Sequence, residues 1–442
     1  MTMNSNQSYV RTEMLGEKAP PASNVGIVGW LRKNMFATWY DAILTLIALF
    51  IVYMVLSALL PWMFGGIWNA NSLTECRQKI IEIYGEPQNR ACWAVIHERF
   101  WQLMYGFYPT DLGPNWLPAY WRPNLALIML FAAIAPILFD RLPRKMLLIS
   151  VAFPFVAPWL LWGGSIWVPI TAFLGFVVGF LVHKFVSTAS SSLLGIIAGV
   201  LAAIIWWLFL MEPVGDFLAN FIPWGIESVE SRKFGGFMLS ITLGITGIGL
   251  SFPLGVILAL GRQSNLVIIK SLSVGFIEFV RGVPLITLLF VAQVMLQYFL
   301  PKGTEFDIIL RVMIMITIFS AAYMAEVIRG GLAALPKGQY EAADALGLDY
   351  WQAQRLIIMP QALKIAIPGI VSIFIGLFKD TTLVSIIALA DPMQWIKFIQ
   401  ANSEWNGIVW ELYGFVAFVF FIFCFSMSRY SMYLERKLQT GH

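Results

Sequence analysis

Long apolar stretches alternate with short polar segments along most of this chain. A helix needs about 20 apolar residues to cross the hydrocarbon core of a bilayer. Ten stretches approach that length, and we predict a membrane-spanning helix for each. They run over residues 42–63, 123–139, 146–162, 167–182, 193–211, 236–260, 284–300, 308–326, 365–390 and 409–428. The pattern therefore predicts an all-α integral membrane protein.

Composition points to the same class. Of the 442 residues, 59% are hydrophobic and 12% are charged, whereas soluble proteins are about 45–50% apolar and about 25% charged. The net charge of +4 is dispersed, which does not fit the basic stripe of a nucleic-acid-binding protein. Three cysteines and three histidines are too few for a metal framework, so we predict no metal site.

Basic residues set the expected orientation, because Lys and Arg in short loops favour the cytoplasm. Basic residues lie before the first predicted span and after the second, fourth, sixth, eighth and tenth spans. With ten spans, all of these segments lie on the same side of the membrane. Both termini are then cytoplasmic. The residues are Arg32, Lys33, Arg141, Arg144, Lys145, Lys184, Arg262, Lys270, Arg329, Lys337, Arg355, Lys364, Arg429, Arg436 and Lys437.

The outward segment 64–122 is long and rich in Trp and Tyr, residues that favour the headgroup level of a bilayer. We predict two short helices on the outer membrane face, divided near Gly85 and Pro87. The segment is either a membrane-covering cap or a ligand-contacting surface. Cys76 and Cys92 lie within it and form a disulfide if the outside is oxidising, or remain two buried thiols.

A compact helical motif is predicted between the eighth and ninth spans. Residues 337–346 are good helix formers, and Gly347 is a natural C-terminal stop because glycine tolerates left-handed geometry. Asp349 can cap a second helix, with Gln352 as its capping-box partner. Pro360 should end or kink that helix. The expected product is a rigid, exposed helix–turn–helix.

This motif resembles the EAA loop of importer-type ATP-binding-cassette permeases, although Met359 stands where the family usually has Leu. In that family the loop is a coupling helix that inserts into a groove of the ATPase subunit. An ordinary interhelical turn is the alternative. The resemblance implies an ATPase-coupling role for Glu341, Ala342, Ala343, Gly347 and Pro360.

Further motifs narrow the resemblance to the polar amino-acid uptake subfamily, the histidine/glutamine permease type, with its five-span type I importer core. The extended N-terminal half looks like the general L-amino-acid permease subunits, including the glutamate/glutamine/aspartate/asparagine type. The motifs are Glu278-Phe279-Val280-Arg281-Gly282-Val283-Pro284, Ala325-Glu326-Val327-Ile328-Arg329-Gly330-Gly331 and Phe378-Lys379-Asp380-Thr381-Thr382-Leu383.

The resemblance implies a division of the chain into four parts. Residues 1–41 form a cytoplasmic N-terminal segment and residues 42–235 an additional membrane region that contains the large periplasmic loop 64–122. Residues 236–428 form the permease core, with the coupling loop at 329–364, and residues 429–442 form a cytoplasmic tail.

Charged residues inside the spans are functional candidates, since burying a charge in a membrane is costly. Lys379 and Asp380 should lie near the middle of the ninth span, where they and Thr381 and Thr382 line a substrate path or join an interhelical ion-pair network. Arg311 should extend towards the outer headgroups. Five residues near the cytoplasmic ends of spans are expected to form a gate or an interhelical tie: Glu278, Arg281, Pro284, Glu326 and Arg329.

The sequence contains no G-x-x-x-x-G-K-[ST] phosphate loop, so a separate subunit should bind ATP and Mg and hydrolyse the nucleotide. The family resemblance implies a permease subunit of an ATP-driven importer of L-amino acids, with polar, acidic and amide substrates expected. Its expected partners are an ATPase dimer, a paralogous permease and a periplasmic amino-acid-binding protein, at a bacterial inner membrane. An ion-gradient-driven secondary transporter is the alternative.

Overall fold

The computed structural model describes residues 26–85, 89–112, 117–139, 141–295, 298 and 307–438. Pro87, Trp116, residues 1–25 and 301–306, and the end of the predicted seventh span lie outside these ranges. The chain divides into two compact units. The first comprises Met1–Ala70 and Thr74–Trp93, and the second comprises Asn71–Leu73 and Ala94–His442. Each unit is described by itself.

The first unit contains the most isolated membrane helix. Helix α1 spans Gly26–Asn34 and α2 spans Trp39–Phe64, where a reciprocal capping box between Thr38 and Asp41 starts the helix. Within the described part of the chain, no residue of α2 is buried. An apolar helix without buried residues is suited to lipid on all sides.

A disulfide closes the outer end of the first unit. Helix α3, Leu73–Tyr84, carries Cys76. The structure links Cys76 to Cys92, with the two Cα atoms 6.2 Å apart, which lies in the range that a disulfide requires. Both half-cystines are buried.

Four membrane helices precede the core in the second unit. After α4, Ala94–Tyr105, come α5 (Trp121–Leu138), α6 (Leu147–Trp162, extended by a 3₁₀ turn at Arg144–Met146), α7 (Trp167–Ala189) and α8 (Ser192–Ile205). A π turn at Trp206–Leu210 joins α8 to α9, Met211–Phe221. The helices α3 and α4 are the two predicted for the loop 64–122.

The core follows from residue 236. Its first half comprises α10 (Gly236–Gln263), α11 (Val267–Gly282), α12 (Leu285–Phe290, with a π turn at Val291–Met295) and α13 (Ile308–Ala333). Its second half comprises α14 (Lys337–Ala345), α15 (Tyr350–Ala353), a π turn at Gln354–Ile358, α16 (Met359–Asp380), a 3₁₀ segment at Thr381–Ile387, α17 (Pro392–Ala401) and α18 (Trp410–Leu438).

Within the described ranges, nine helices are long and apolar enough to cross a membrane, and a bent pair brings the number to ten if it forms one span. This pair is α11 with α12 and its π turn, which meet at 99°. The sequence predicted the seventh span at 284–300, with Glu278 and Arg281 near its cytoplasmic end. It did not predict the separate helix α11, which Pro284 divides from α12 because proline has no amide hydrogen with which to continue a helix.

Connections at one end of the second unit's helices pair through their backbones. The two-residue strand β1, Gly164–Ser165, pairs antiparallel with β2, Gly225–Ile226. Isolated bridges join Gly106 to Phe234 and Gly235 to Ala390. At the opposite end of the helices, the Tyr430 hydroxyl donates a hydrogen bond of 3.2 Å to the Leu138 carbonyl. The pairing is consistent with the alternation that ten spans predict.

Glycines allow close packing in the core, as small residues do between membrane helices. A side chain at Gly247 of α10 would lie 3.0 Å from Ile316 and 3.1 Å from Leu377. Gly255, two turns further on, lies against Met324 and the Ala321 carbonyl. Helix α10 is therefore packed closely against both α13 and α16.

Candidate functional site

The segment after α13 forms the predicted helix–turn–helix. Helix α14 ends at Ala345, and Gly347 adopts a left-handed backbone with φ of +69°. The carboxylate of Asp349 accepts the amide of Gln352 at 2.9 Å, and the Gln352 side chain accepts the amide of Asp349 at 3.2 Å. The predicted glycine stop and capping box are thus confirmed. We call residues 337–353 the knob.

The knob presents a mixed polar and apolar surface. Glu341, Ala342 and Gly347 are exposed, whereas Ala343 is 1% exposed and packs inward. Leu346 is 71% exposed and Trp351 is 69% exposed. Large apolar side chains that protrude together from a polar segment are typical of a protein–protein interface.

Pro360 does not end the helix that begins at the knob. Residues Tyr350–Ile387 form one helical segment, and the π turn at Gln354–Ile358 lies immediately before the proline. The amide of Met359 bonds to the carbonyl of Gln354, five residues earlier. This wider turn accommodates a ring that would otherwise clash with the carbonyl four residues before it. The prediction that Pro360 ends the helix was therefore wrong, and its alternative, a kink, stays a prediction.

An arginine cluster joins three helices of the core near their ends. The Glu326 carboxylate lies 2.6 Å from Arg262, 3.1 Å from Arg329 and 3.7 Å from Arg281. Arg262 also lies 2.8 Å from Glu278. The structure thus brings together four of the five residues predicted as a gate or tie. The fifth, Pro284, lies at the break between α11 and α12.

Sequence reasoning did not assign Arg262 to this cluster, although it contacts both carboxylates. Its partners Glu278 and Glu326 are 16 and 64 residues away in sequence. In the sequence, Arg262 served only to indicate the orientation of its span. Its position in the last turn of an apolar helix, next to a segment that also carries charges, was the one signal for a role in the cluster.

Comparison with known proteins identifies the chain's family. Residues 251–440 match the family model for the "Binding-protein-dependent transport system inner membrane component". The chain is 54% identical to a Rhodobacter capsulatus glutamate/glutamine/aspartate/asparagine transport system permease protein, over 99% of this chain and 100% of that protein. It is 39% identical to an Escherichia coli inner membrane amino-acid ABC transporter permease protein, over 93% of each chain.

The chain belongs to this permease family. A crystal structure of an amino acid ABC transporter with histidines matches 45% of the permease and 91% of that chain, with 30% identity and a TM-score of 0.41. Family membership makes the protein a multi-pass inner-membrane subunit of an ATP-binding-cassette system. ATP hydrolysis belongs to a separate subunit in such systems, as the missing phosphate loop predicts.

The expected substrate-path residues lie further along their span than predicted. Lys379 and Asp380 end α16 instead of occupying its middle. Lys379 is exposed, Asp380 is partly buried, and among the described residues neither takes part in an ion pair. The hydroxyls of Thr381 and Thr382 donate to the carbonyls of Phe378 and Lys379, each at 2.8 Å.

Buried hydroxyls accompany these residues on the neighbouring helices. Ser240 of α10 is fully buried and Thr317 of α13 is 4% exposed. In the part of the permease that the structure describes, neither hydroxyl has a hydrogen-bond partner. Sequence reasoning missed both, because a single Ser or Thr in an apolar helix gives no pattern.

Arg311 bonds to a neighbouring helix, and its extension towards the headgroups stays a prediction. Its guanidinium is 3.3 Å from the carbonyl of Gln293 and 3.5 Å from that of Ala292. Both carbonyls belong to the π turn that follows α12. Arg311 therefore ties α13 to the bent seventh span.

Proposed function

We propose that this permease is the membrane-spanning subunit of an ATP-driven importer of L-amino acids, and that its substrates are acidic and amide amino acids. The knob carries the proposal, because it is a rigid, exposed element with protruding Leu346 and Trp351. The relatives described above are named as amino-acid permeases, one of them for glutamate, glutamine, aspartate and asparagine. An ion-gradient-driven transporter needs no ATPase and so has no evident use for the knob.

The proposed partners follow from the coupling role. The knob, through Glu341, Ala342, Ala343 and Gly347, docks into an ATPase subunit that binds ATP and Mg. Pro360 and its π turn join the knob to α16. An ATPase dimer presents two docking grooves, and a second permease subunit, a paralogue of this one, occupies the other groove. A periplasmic amino-acid-binding protein delivers substrate to the outer segments 64–122, 212–235 and 391–408.

The proposed topology keeps both termini in the cytoplasm. Residues 1–41 form the N-terminal segment, 42–235 the additional membrane region, 236–428 the core and 429–442 the tail. Closure of the ATPase dimer displaces the knob, the core helices tilt, and the path past Lys379, Asp380, Thr381 and Thr382 opens to the outside. Alternating access around a central site is a general solution for transporters.

Within this scheme the arginine cluster is the cytoplasmic gate. It joins the ends of α10, α11 and α13 through Glu326, and α13 leads directly into the knob. Movement of the knob must then change the distances between these charges. Pro284 provides the break at which α11 can move relative to α12.

Reconstitution tests the proposal. Proteoliposomes hold the permease, its candidate paralogue and the ATPase, with ATP enclosed and the binding protein outside. We expect ATP-dependent accumulation of labelled glutamate and glutamine, unaffected by an ionophore and abolished with a hydrolysis-deficient ATPase. Uptake that follows an imposed ion gradient without ATP would overturn the proposal. Absence of uptake with an active, assembled complex would also contradict it.

A further inference from the structure

Two arginines hydrogen-bond the Glu326 carboxylate within the arginine cluster. Its Oε1 accepts from Arg262 at 2.6 Å, its Oε2 accepts from Arg329 at 3.1 Å, and a second N–H of Arg329 is shared between both oxygens at 3.2 Å. A third arginine lies beside the carboxylate without a hydrogen bond to it.

Arg281 is that third arginine. Its nearest contact with Glu326 is 3.7 Å, which is too long for a hydrogen bond. Its Nε is buried and has no partner in the described part of the chain. The guanidinium lies 5.5 Å from the centre of the Tyr323 ring, and the side chain is 33% exposed, so it is accessible to a ligand.

The charges of the cluster do not cancel. Arg262, Arg281 and Arg329 contribute three positive charges, and Glu278 and Glu326 contribute two negative ones, which leaves +1. A guanidinium near apolar helices needs a counter-charge, and its planar fork fits a carboxylate. Arg281 also lies in the last turn of α11, directly before the 99° break. Broken helices commonly form substrate sites in transporters.

We propose that Arg281 binds the side-chain carboxylate of acidic amino acids as they pass the cytoplasmic gate. The proposal rests on the amino-acid import function proposed above. Every L-amino acid carries an α-ammonium and an α-carboxylate, whose charges offset each other. Only acidic amino acids carry an additional negative charge, which complements the net charge of +1 on the arginine cluster. Arg281 therefore discriminates glutamate from glutamine, which has nearly the same shape.

The test compares the two substrates in the reconstituted complex. Replacing Arg281 with Gln should lower the ratio of glutamate uptake to glutamine uptake about tenfold or more, as expected for the loss of a hydrogen bond to a charged group. A loss of gate function alone should lower both uptakes by the same factor and leave this ratio unchanged. R281K keeps the charge but loses the fork, and should recover part of the glutamate uptake. Arg99→Gln removes an arginine paired with Glu404 at 2.8 Å, and should affect both substrates alike.

Several outcomes would overturn the inference. An equal loss for both substrates in R281Q, with unchanged assembly and ATPase activity, would mean a structural role. No change for either substrate would mean no contact. A glutamate defect present only in vesicles with anionic lipid, and absent in neutral ones, would assign Arg281 to a lipid headgroup. If the unmodified complex transports neither amino acid, the import proposal itself fails.

Discussion

The backbone of Gly106 lies directly against that of Gly235, so that a side chain on Gly106 would overlap the Gly235 Cα. Gly106 follows α4 in the aromatic outer segment, and Gly235 begins the core. Neighbouring bridges add Phe234 and Ala390. The chain that follows α4 is therefore fixed to the start of the core through its backbone.

Substitution of Gly106 with Ala should destabilise the permease. The residue has φ of +69°, which alone costs a residue with a side chain about 1–2 kcal/mol, and the overlap with Gly235 adds to that cost. We expect a lower thermal unfolding midpoint in detergent. Gly249→Ala is the matched control, since nothing lies within 4 Å of its added carbon. Equal midpoints for both variants would contradict the close approach.

Gly347→Val should uncouple ATP hydrolysis from uptake. A β-branched residue is strained at a φ of +69°, so the turn of the knob must rearrange, although there is open space around it. In the reconstituted complex we expect ATPase activity to persist and uptake to fall about tenfold or more. Gly347→Asn is the control, because Asn tolerates the left-handed region. Normal uptake by the Val variant would count against the coupling role.

Asp391 should make stability depend on pH. It is fully buried at the start of α17, and burial raises its pKa to about 7, against the opposing effects of the Gln394 and Met393 amides and Lys397. The folded chain then holds a proton that the unfolded chain has lost. Stability should fall as pH rises from about 4 to 7, with a slope approaching about 1.4 kcal/mol per pH unit.

Asp391→Asn preserves the helix cap and removes the titration. Its unfolding midpoint should come closest to that of the unmodified permease at pH 4 and exceed it increasingly up to pH 7. Asp307→Asn is the control for the loss of a capping charge. Asp307 is an exposed helix cap whose carboxylate accepts a hydrogen bond of 3.0 Å from the Leu310 amide. A constant difference between the Asp391 variant and the unmodified permease across this range would refute the prediction.

The Cys76–Cys92 link should be detectable by thiol chemistry. Maleimide labelling of denatured, unreduced permease should reach Cys424 alone, and reduction should expose two more thiols. Because the half-cystines are 16 residues apart, loss of the link should cost about 3 kcal/mol. The double variant C76S/C92S should therefore unfold earlier than C424S. Three labelled thiols before reduction would show that the cysteines are not joined.

Features that depend on local sequence were predictable. Membrane spans follow from apolar length, and the knob from a glycine stop and a capping pair at Asp349 and Gln352. Helix α11 was missed because Lys270, Glu278 and Arg281 interrupt its apolar pattern. Pro360 was misjudged because a wider turn can absorb a proline. Arg262 was not assigned to the cluster because its partners lie on two other helices. A single sequence does not show which residues of different helices form pairs.

The π turn before Pro360 keeps the knob connected to α16. Because Tyr350–Ile387 form one helical segment of 38 residues, a displacement of the knob is carried along this segment. Gly331 of α13 lies against the Ala362 carbonyl, and Gly247 of α10 lies against Leu377. The displacement must therefore reach both neighbouring helices together.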